Sequence, residues 1–242
     1  MFLTIKPRPL IAFLLIVGIS FGLTFCLFRV TQSNADTRFN YTIVLDAGHG
    51  GRDAGCSGIN TGVSESEIAL SITKKLESYL KNFGFNVVLT RTNSDGLYKE
   101  NVDNYKKSDM ENRKKIIEKS KADMILSIHL NSYPEITQKG AQAFYQKGSP
   151  KGENLAKAIV SQLVNILNTT RNEALSGDYY ILKCGGDIPA SIVECGFLSN
   201  PEEEALLVTD DYQNDVAYAI FCGIVKYFGE GDPTIVGNLE NV

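Results

Sequence analysis

This 242-residue chain contains only two histidines, and each stands at the end of a short apolar run. His49 lies in Asp46-Ala47-Gly48-His49-Gly50-Gly51 and His129 in Ser127-Ile128-His129-Leu130-Asn131. Neutral imidazole is the commonest metal ligand, and two such residues at the ends of neighbouring strands can meet at one ion. Catalytic zinc takes three protein ligands and keeps a position open for water or substrate, so a carboxylate is wanted as the third. Glu65 and Glu67 at a helix start, and Glu194 in the apolar stretch Ile192-Val193-Glu194-Cys195, are the best placed. Glu65 and Glu67 fit equally well as first-turn acids favoured by the helix dipole; Glu194 is harder to dismiss, since a carboxylate in an apolar strand end is costly unless functional or held in a buried ion pair, and the functional reading is preferred. The residues alone leave the choice of third ligand open. The chemistry they point to is metal-assisted hydrolysis, and the glycines beside His49 let backbone approach a ligand closely.

These residues need a scaffold, and the hydrophobic pattern supplies one. Residues 42–46 read as a buried strand, and 65–83 as a helix with Ile68, Ile72, Leu76, Leu80 and Phe83 at helical spacing, stopped by Gly84. The alternation continues with a strand at 86–90, a helix at 109–120, strands at 124–128 and 141–146, and a helix at 152–168. Strands near 179–182 and 190–193 and a helix at 212–228 follow, while the tail at 231–242 shows no periodicity. Such alternation predicts a single α/β domain whose sheet carries helices on both faces. In an open sheet of this kind ligands bind at the carboxyl ends of the strands, which is where both histidines fall.

Composition narrows the partners. With 24 Lys and Arg against 28 Asp and Glu, the chain has a formal charge of −4, which argues against nucleic acid as a partner. The basic cluster Lys106, Lys107, Arg113, Lys114 and Lys115 is broken by Asp109 and Glu111 and reads as a solvated helix face. Residues 10–28 are uncharged and apolar, with Lys6 and Arg8 before them and Arg29 after. That pattern predicts a membrane segment with the following chain exported, retained as an anchor or cleaved near residues 33–35. The expected organisation is a signal-anchor or signal peptide at 1–30, a linker at 31–40, a catalytic domain at 41–229 and a tail at 230–242. The five cysteines form no CxxC pair and read as small buried hydrophobes.

Five ordered motifs carry a family resemblance: DAGHGGRDAG at 46–55, ESEIAL at 65–70, VVLTR ending at Arg91, ADMILSIHLNS at 122–132 and PASIVECGFLSN at 189–200. Over residues 42–228 the chain resembles the zinc-dependent N-acetylmuramoyl-L-alanine amidases of the amidase-3 type. The resemblance implies a central mixed sheet of about six strands, a Zn2+ cofactor held by His49, Glu65 and His129, and Glu194 as catalytic acid/base. It also implies a peptidoglycan substrate. The chain departs from the family at Ile117-Glu118, where an Ala-Asn pair is common.

An apolar N-terminal segment before one catalytic domain looks like the CwlD-like, germination-specific type, which helps convert spore cortex peptidoglycan to muramic-δ-lactam. With no wall-binding repeat in the sequence, the expectation is that the membrane segment or a helper protein places the enzyme. Competing readings are another zinc amide hydrolase or peptidase of the wall, and a wall-binding protein without turnover.

Overall fold

The structure, a computed structural model, describes residues 39–169 and 171–237. The apolar run at 10–28 and the cleavage region at 33–35 lie outside the described residues. Among the described residues no helix is long and apolar enough to cross a membrane.

Six strands, β1 (Thr42–Ala47), β2 (Asn86–Leu89), β3 (Met124–Asn131), β4 (Gln142–Gln146), β5 (Ala174–Gly177) and β6 (Ala190–Phe197), form one sheet in the order β2-β1-β3-β6-β4-β5. The first four in that order run parallel, whereas β4 is antiparallel to β6 and parallel to β5. The sheet is therefore mixed, as the family resemblance implied. The helices are α1 (Glu65–Phe83), α2 (Tyr105–Ser120), α3 (Pro150–Leu167), α4 (Pro201–Leu207), α5 (Asp210–Gly229) and α6 (Pro233–Gly237).

Side chains alternate across a strand, and here the alternation separates a packing face from a working face. Ile43 and Leu45 of β1, Met124, Leu126, Ile128 and Leu130 of β3, and Val193 and Cys195 of β6 enter one apolar cluster with α1, α3 and α5. Val44, Ile125 and Ile192 point the other way, toward Ile117 of α2 and the turn containing Ile181 and Leu182. On that second face the strands continue into Asp46, Ser127, His129 and Glu194, which are polar. The lower half of the face is covered by α2, and its carboxyl end carries the polar groups. Helices on both faces follow from this, with unequal cover.

Local signals explain the helix ends. Ser64 caps α1 by accepting from the Glu67 amide at 3.3 Å, and Gly84, in the left-handed region at φ 110°, closes it. The same logic places the start of α2 at Tyr105, four residues before the expected 109, because Asn104 accepts from the Lys107 amide at 3.0 Å. Its first turn, Tyr-Lys-Lys-Ser, carries no apolar periodicity, so the cap was its only signal. Asn200 and Pro201 likewise begin α4, which the apolar pattern does not show.

Two expectations are corrected. The strand expected near 179–182 is β5 at Ala174–Gly177, and Ile181–Lys183 forms a 3-10 turn instead. A strand would send Ile181 and Leu182 to opposite faces, whereas the turn buries both in one cluster. The tail is not wholly irregular, because α6 lies within it and buries Ile235.

Candidate active site

Strand order creates the site. From β1 the chain moves outward to β2, and from β3 it moves toward the opposite edge, so β1 and β3 flank a switch point where a crevice opens at their carboxyl ends. His49 leaves β1 on one side of this crevice, and His129 stands near the end of β3 on the other. Gly48 separates them. A Cβ at Gly48 would sit 2.4 Å from the His129 ring, so no other residue lets the two imidazoles approach to a centroid distance of 4.9 Å.

Glu65, the first residue of α1, reaches between the two rings. Its Oε1 lies 3.1 Å from His49 Nε2 and 2.9 Å from His129 Nδ1. The Leu130 amide also donates to Oε1, at 3.1 Å, and the Cys56 amide donates to Oε2 at 2.9 Å. Gly55 lets this loop pass, since its φ is 70° and a Cβ there would lie 2.5 Å from Glu65 Oε2. Burial opposes a charge on Glu65, but hydrogen bonds from His129 and His49 hold its carboxyl well below the usual range. Burial also works against a charged His49, while the carboxylates of Glu65 and Asp53 on its two ring nitrogens raise its pKa.

The donor atoms of His49, Glu65 and His129 lie within 4.8 Å of one another, a grouping able to hold a metal ion. Two imidazoles and one carboxylate are the ligand types of catalytic zinc sites, so the residues present fit that group. Glu67, the alternative carboxylate, is exposed on the first turn of α1 and does not join them.

Glu194 pairs in register with His129 across β3 and β6, so both side chains project from the same face of the sheet. The backbone register shifts between His129 and Asn131, a bulge at the rim of the site. Glu194 Oε2 is buried, and no donor among the described residues reaches it. Burial pushes the Glu194 carboxyl up, His129 pulls it down, and the nearby Glu65 charge adds to the rise. An ion pair, the ordinary reading of a carboxylate here, is absent among the described residues.

A second group of charges supports the loop from beneath. Asp46 is buried and accepts from Ser127 Oγ at 2.6 Å, Thr90 Oγ1 at 2.7 Å and Arg113 Nη1 at 2.6 Å. Arg113, on α2, also donates to the carbonyls of Ala47 and His49. Arg91 donates to the carbonyls of Ala47, Gly48 and Ser66. The backbone entering His49 is thus held by two guanidiniums. Arg113 corrects the reading of the basic cluster as a solvated face, because it is 1% exposed. Lys107 and Lys114 do form ordinary i, i+4 pairs with Glu111 and Glu118. The missed signal was the spacing of Asp109 and Arg113, which puts both on one face of α2.

Asp53 and Lys106 complete the surroundings. Asp53 Oδ2 lies 2.9 Å from His49 Nδ1, and Asp53 Oδ1 lies 2.9 Å from Lys106 Nζ. The cleft above these groups has a volume of about 340 Å³, with Tyr98, Tyr105 and Met110 on one wall and Tyr179, Tyr180 and Ile181 on another. Of the cysteines among the described residues, Cys184 and Cys195 are buried as expected, Cys56 and Cys222 are only half-buried, and all four are free.

Residues 43–226 match the Amidase_3 family, described as N-acetylmuramoyl-L-alanine amidase. The chain is 38% identical over 196 residues to the germination-specific N-acetylmuramoyl-L-alanine amidase of Bacillus subtilis, covering 79% of this chain and 81% of that protein. It is similar to the CwlD amidase of Clostridioides difficile, solved in complex with the GerS lipoprotein, with 40% identity, a TM-score of 0.75 and coverage of 78% of this chain and 99% of that one. The catalytic domain of CwlV from Bacillus (Paenibacillus) polymyxa superposes with a TM-score of 0.68 at 31% identity, covering 78% and 98%.

Proposed function

This chain belongs to the Amidase_3 family of N-acetylmuramoyl-L-alanine amidases, and from that premise we propose that it is a zinc hydrolase of peptidoglycan. The bond cut joins the lactyl group of N-acetylmuramic acid to the L-alanine of the stem peptide. The observation that carries this reading is the convergence of His49, Glu65 and His129, with the unpartnered Glu194 carboxylate beside them in register. His49, Glu65 and His129 hold the zinc, and Glu194 is the acid/base.

When bound, zinc supplies Lewis acidity toward water and toward an amide carbonyl. Glu194 takes the proton of the attacking water on its carboxylate and returns it to the departing alanine nitrogen. Such positioned proton transfer is worth about 10²–10⁴-fold. The environment suits that role, since a carboxyl with a raised pKa exchanges a proton more readily near neutral pH than a solvated one. Asp46, Arg113 and Arg91 fix the backbone of the His49 loop, so the ligand geometry need not form anew with each turnover. The tyrosine walls give the cleft flat, half-exposed surfaces for a glycan and its peptide.

The substrate we assign is spore cortex peptidoglycan, with the cut glycan going on to muramic-δ-lactam. Similarity to a germination-specific amidase supports this. The N-terminal apolar segment keeps the enzyme at the membrane, facing the wall or cortex, and a helper protein assists, in keeping with the relative solved together with a lipoprotein.

The test is digestion of purified cortex peptidoglycan with and without a chelator, read by mass spectrometry. Stem peptides beginning with free L-alanine, with glycans keeping intact lactyl groups, are expected only without chelator. Fragments cut between amino acids would replace this reading with that of a peptidase, and no products at all would favour a binding protein.

A further inference from the structure

Asp53 belongs to the turn that follows His49, and that turn is built independently of its side chain. The Gly50 amide donates to the Asp53 carbonyl at 2.8 Å, and the Asp53 amide donates back to Gly50 at 3.2 Å. These two bonds set the carboxylate against the His49 ring, where Oδ2 meets Nδ1 at 2.9 Å. The other oxygen, Oδ1, meets Lys106 Nζ at 2.9 Å. Lys106 stands in the first turn of α2, the helix whose Arg113 also grips the His49 carbonyl. One helix therefore holds this histidine twice, by its backbone and, through Asp53, by its ring.

The chemistry of the ring gives the arrangement its consequence. Imidazole has two nitrogens, and a partner for the proton on one leaves the other as the ligand atom. With Nδ1–H donated to Asp53, the lone pair lies on Nε2, the nitrogen that faces Glu65 Oε1 at 3.1 Å. Were Asp53 missing, Nδ1 would compete for the same role, and the ring could turn about its Cβ–Cγ bond. A lone pair and a carboxylate oxygen at this distance repel unless a cation or a proton lies between them.

We infer that Asp53 is a positioning residue for the metal centre: it fixes the tautomer and orientation of His49, and Lys106 holds it in place. This rests on the assignment of His49 as a ligand and goes beyond it, since Asp53 is not among the three donors grouped for the metal and reaches them only through the His49 ring. Carboxylates in this relation to a ligand histidine raise metal affinity by about 10–100-fold.

The test compares the full chain with its Asp53→Ala and Asp53→Asn variants, measuring zinc affinity by chelator competition and the melting of each metal-free protein. Asp53→Ala should bind zinc about 10–100-fold more weakly while melting with the parent, because the turn is closed by backbone bonds. Asp53→Asn, whose amide oxygen still accepts from Nδ1–H, should recover most of the loss. Parent-like affinity in Asp53→Ala would overturn the inference alone, and so would an Asp53→Asn variant no better than Asp53→Ala. A parent chain that takes up no zinc would overturn the metal-centre reading as well.

Discussion

Arg113 of α2 is buried against Asp46 of β1, its Nη1 2.6 Å from Oδ1, although the two are 67 residues apart in the chain. Removing one partner of such a pair leaves an uncompensated buried charge, which costs about 3–5 kcal/mol. Arg113→Ala should therefore lower stability by about that amount. Arg113→Lys should fall between the two, since an ammonium lacks the planar fork that reaches Asp46, Asp109 and the Ala47 carbonyl together. Urea denaturation of the metal-free proteins measures both.

The same pair predicts an acid limb. Burial alone would raise the Asp46 pKa, but Arg113, Ser127 and Thr90 outweigh it and bring it to about 2 from 3.8. A group whose folded pKa is depressed stabilises above its unfolded value and loses that contribution as pH falls through the folded one. Between about pH 4 and pH 2 the parent should lose about 2 kcal/mol from this residue. Asp46→Asn should start less stable at neutral pH and decline less across this window. Equal slopes for the two proteins would refute the assignment.

His49→Ala and His129→Ala should each lose zinc and hydrolysis together, since either change leaves two of the three donors grouped within 4.8 Å. Metal analysis of the purified full-length variants checks this. Full zinc occupancy in both would remove these residues as ligands.

Glu194→Gln should keep zinc and fold but lower amide hydrolysis at least about 100-fold, because a neutral amide cannot take the proton. Its melting temperature should equal or exceed the parent's at neutral pH, since burial already disfavours the charge being removed. Zinc content, melting and turnover on one preparation give the answer, and near-normal turnover with zinc retained would exclude Glu194 as the acid/base.

Glu204 of α4 accepts from the amides of Asn60 and Thr61 at 2.8–3.0 Å, and from Thr61 Oγ1 at 2.8 Å. The loop it ties down leads from Cys56 to Glu65. Glu204→Ala should raise hydrogen exchange at Asn60 and Thr61 while leaving β1 and β3 protected. Unchanged exchange at those two amides would show that the loop holds itself.

Periodicity is local, so it reads well from sequence. The near four-residue repeat of α1 depends only on which neighbours share a face, and it survives in the structure, as do the apolar runs read as β1, β3 and β6. Cap chemistry is local too, and Asn104 and Asn200 with Pro201 could have placed α2 and α4 more fully. The strand near 179–182 failed because a short apolar run has no period of its own; tertiary packing decided that Ile181 and Leu182 should bury together in a turn. Charge is less local still. Arg113 and Lys114 each have an acidic residue four positions away, Asp109 and Glu118, and only the approach of α2 to the end of β1 buries the first pair's Arg113 while Lys114 stays half-solvated. The choice among Glu65, Glu67 and Glu194 was open in the residues for the same reason. Acidic side chains are common along a chain, but only the parallel pairing of β1 with β3, with α1 starting at their carboxyl ends, sets one carboxylate within reach of both imidazoles and leaves another beside them with a buried oxygen that has no partner.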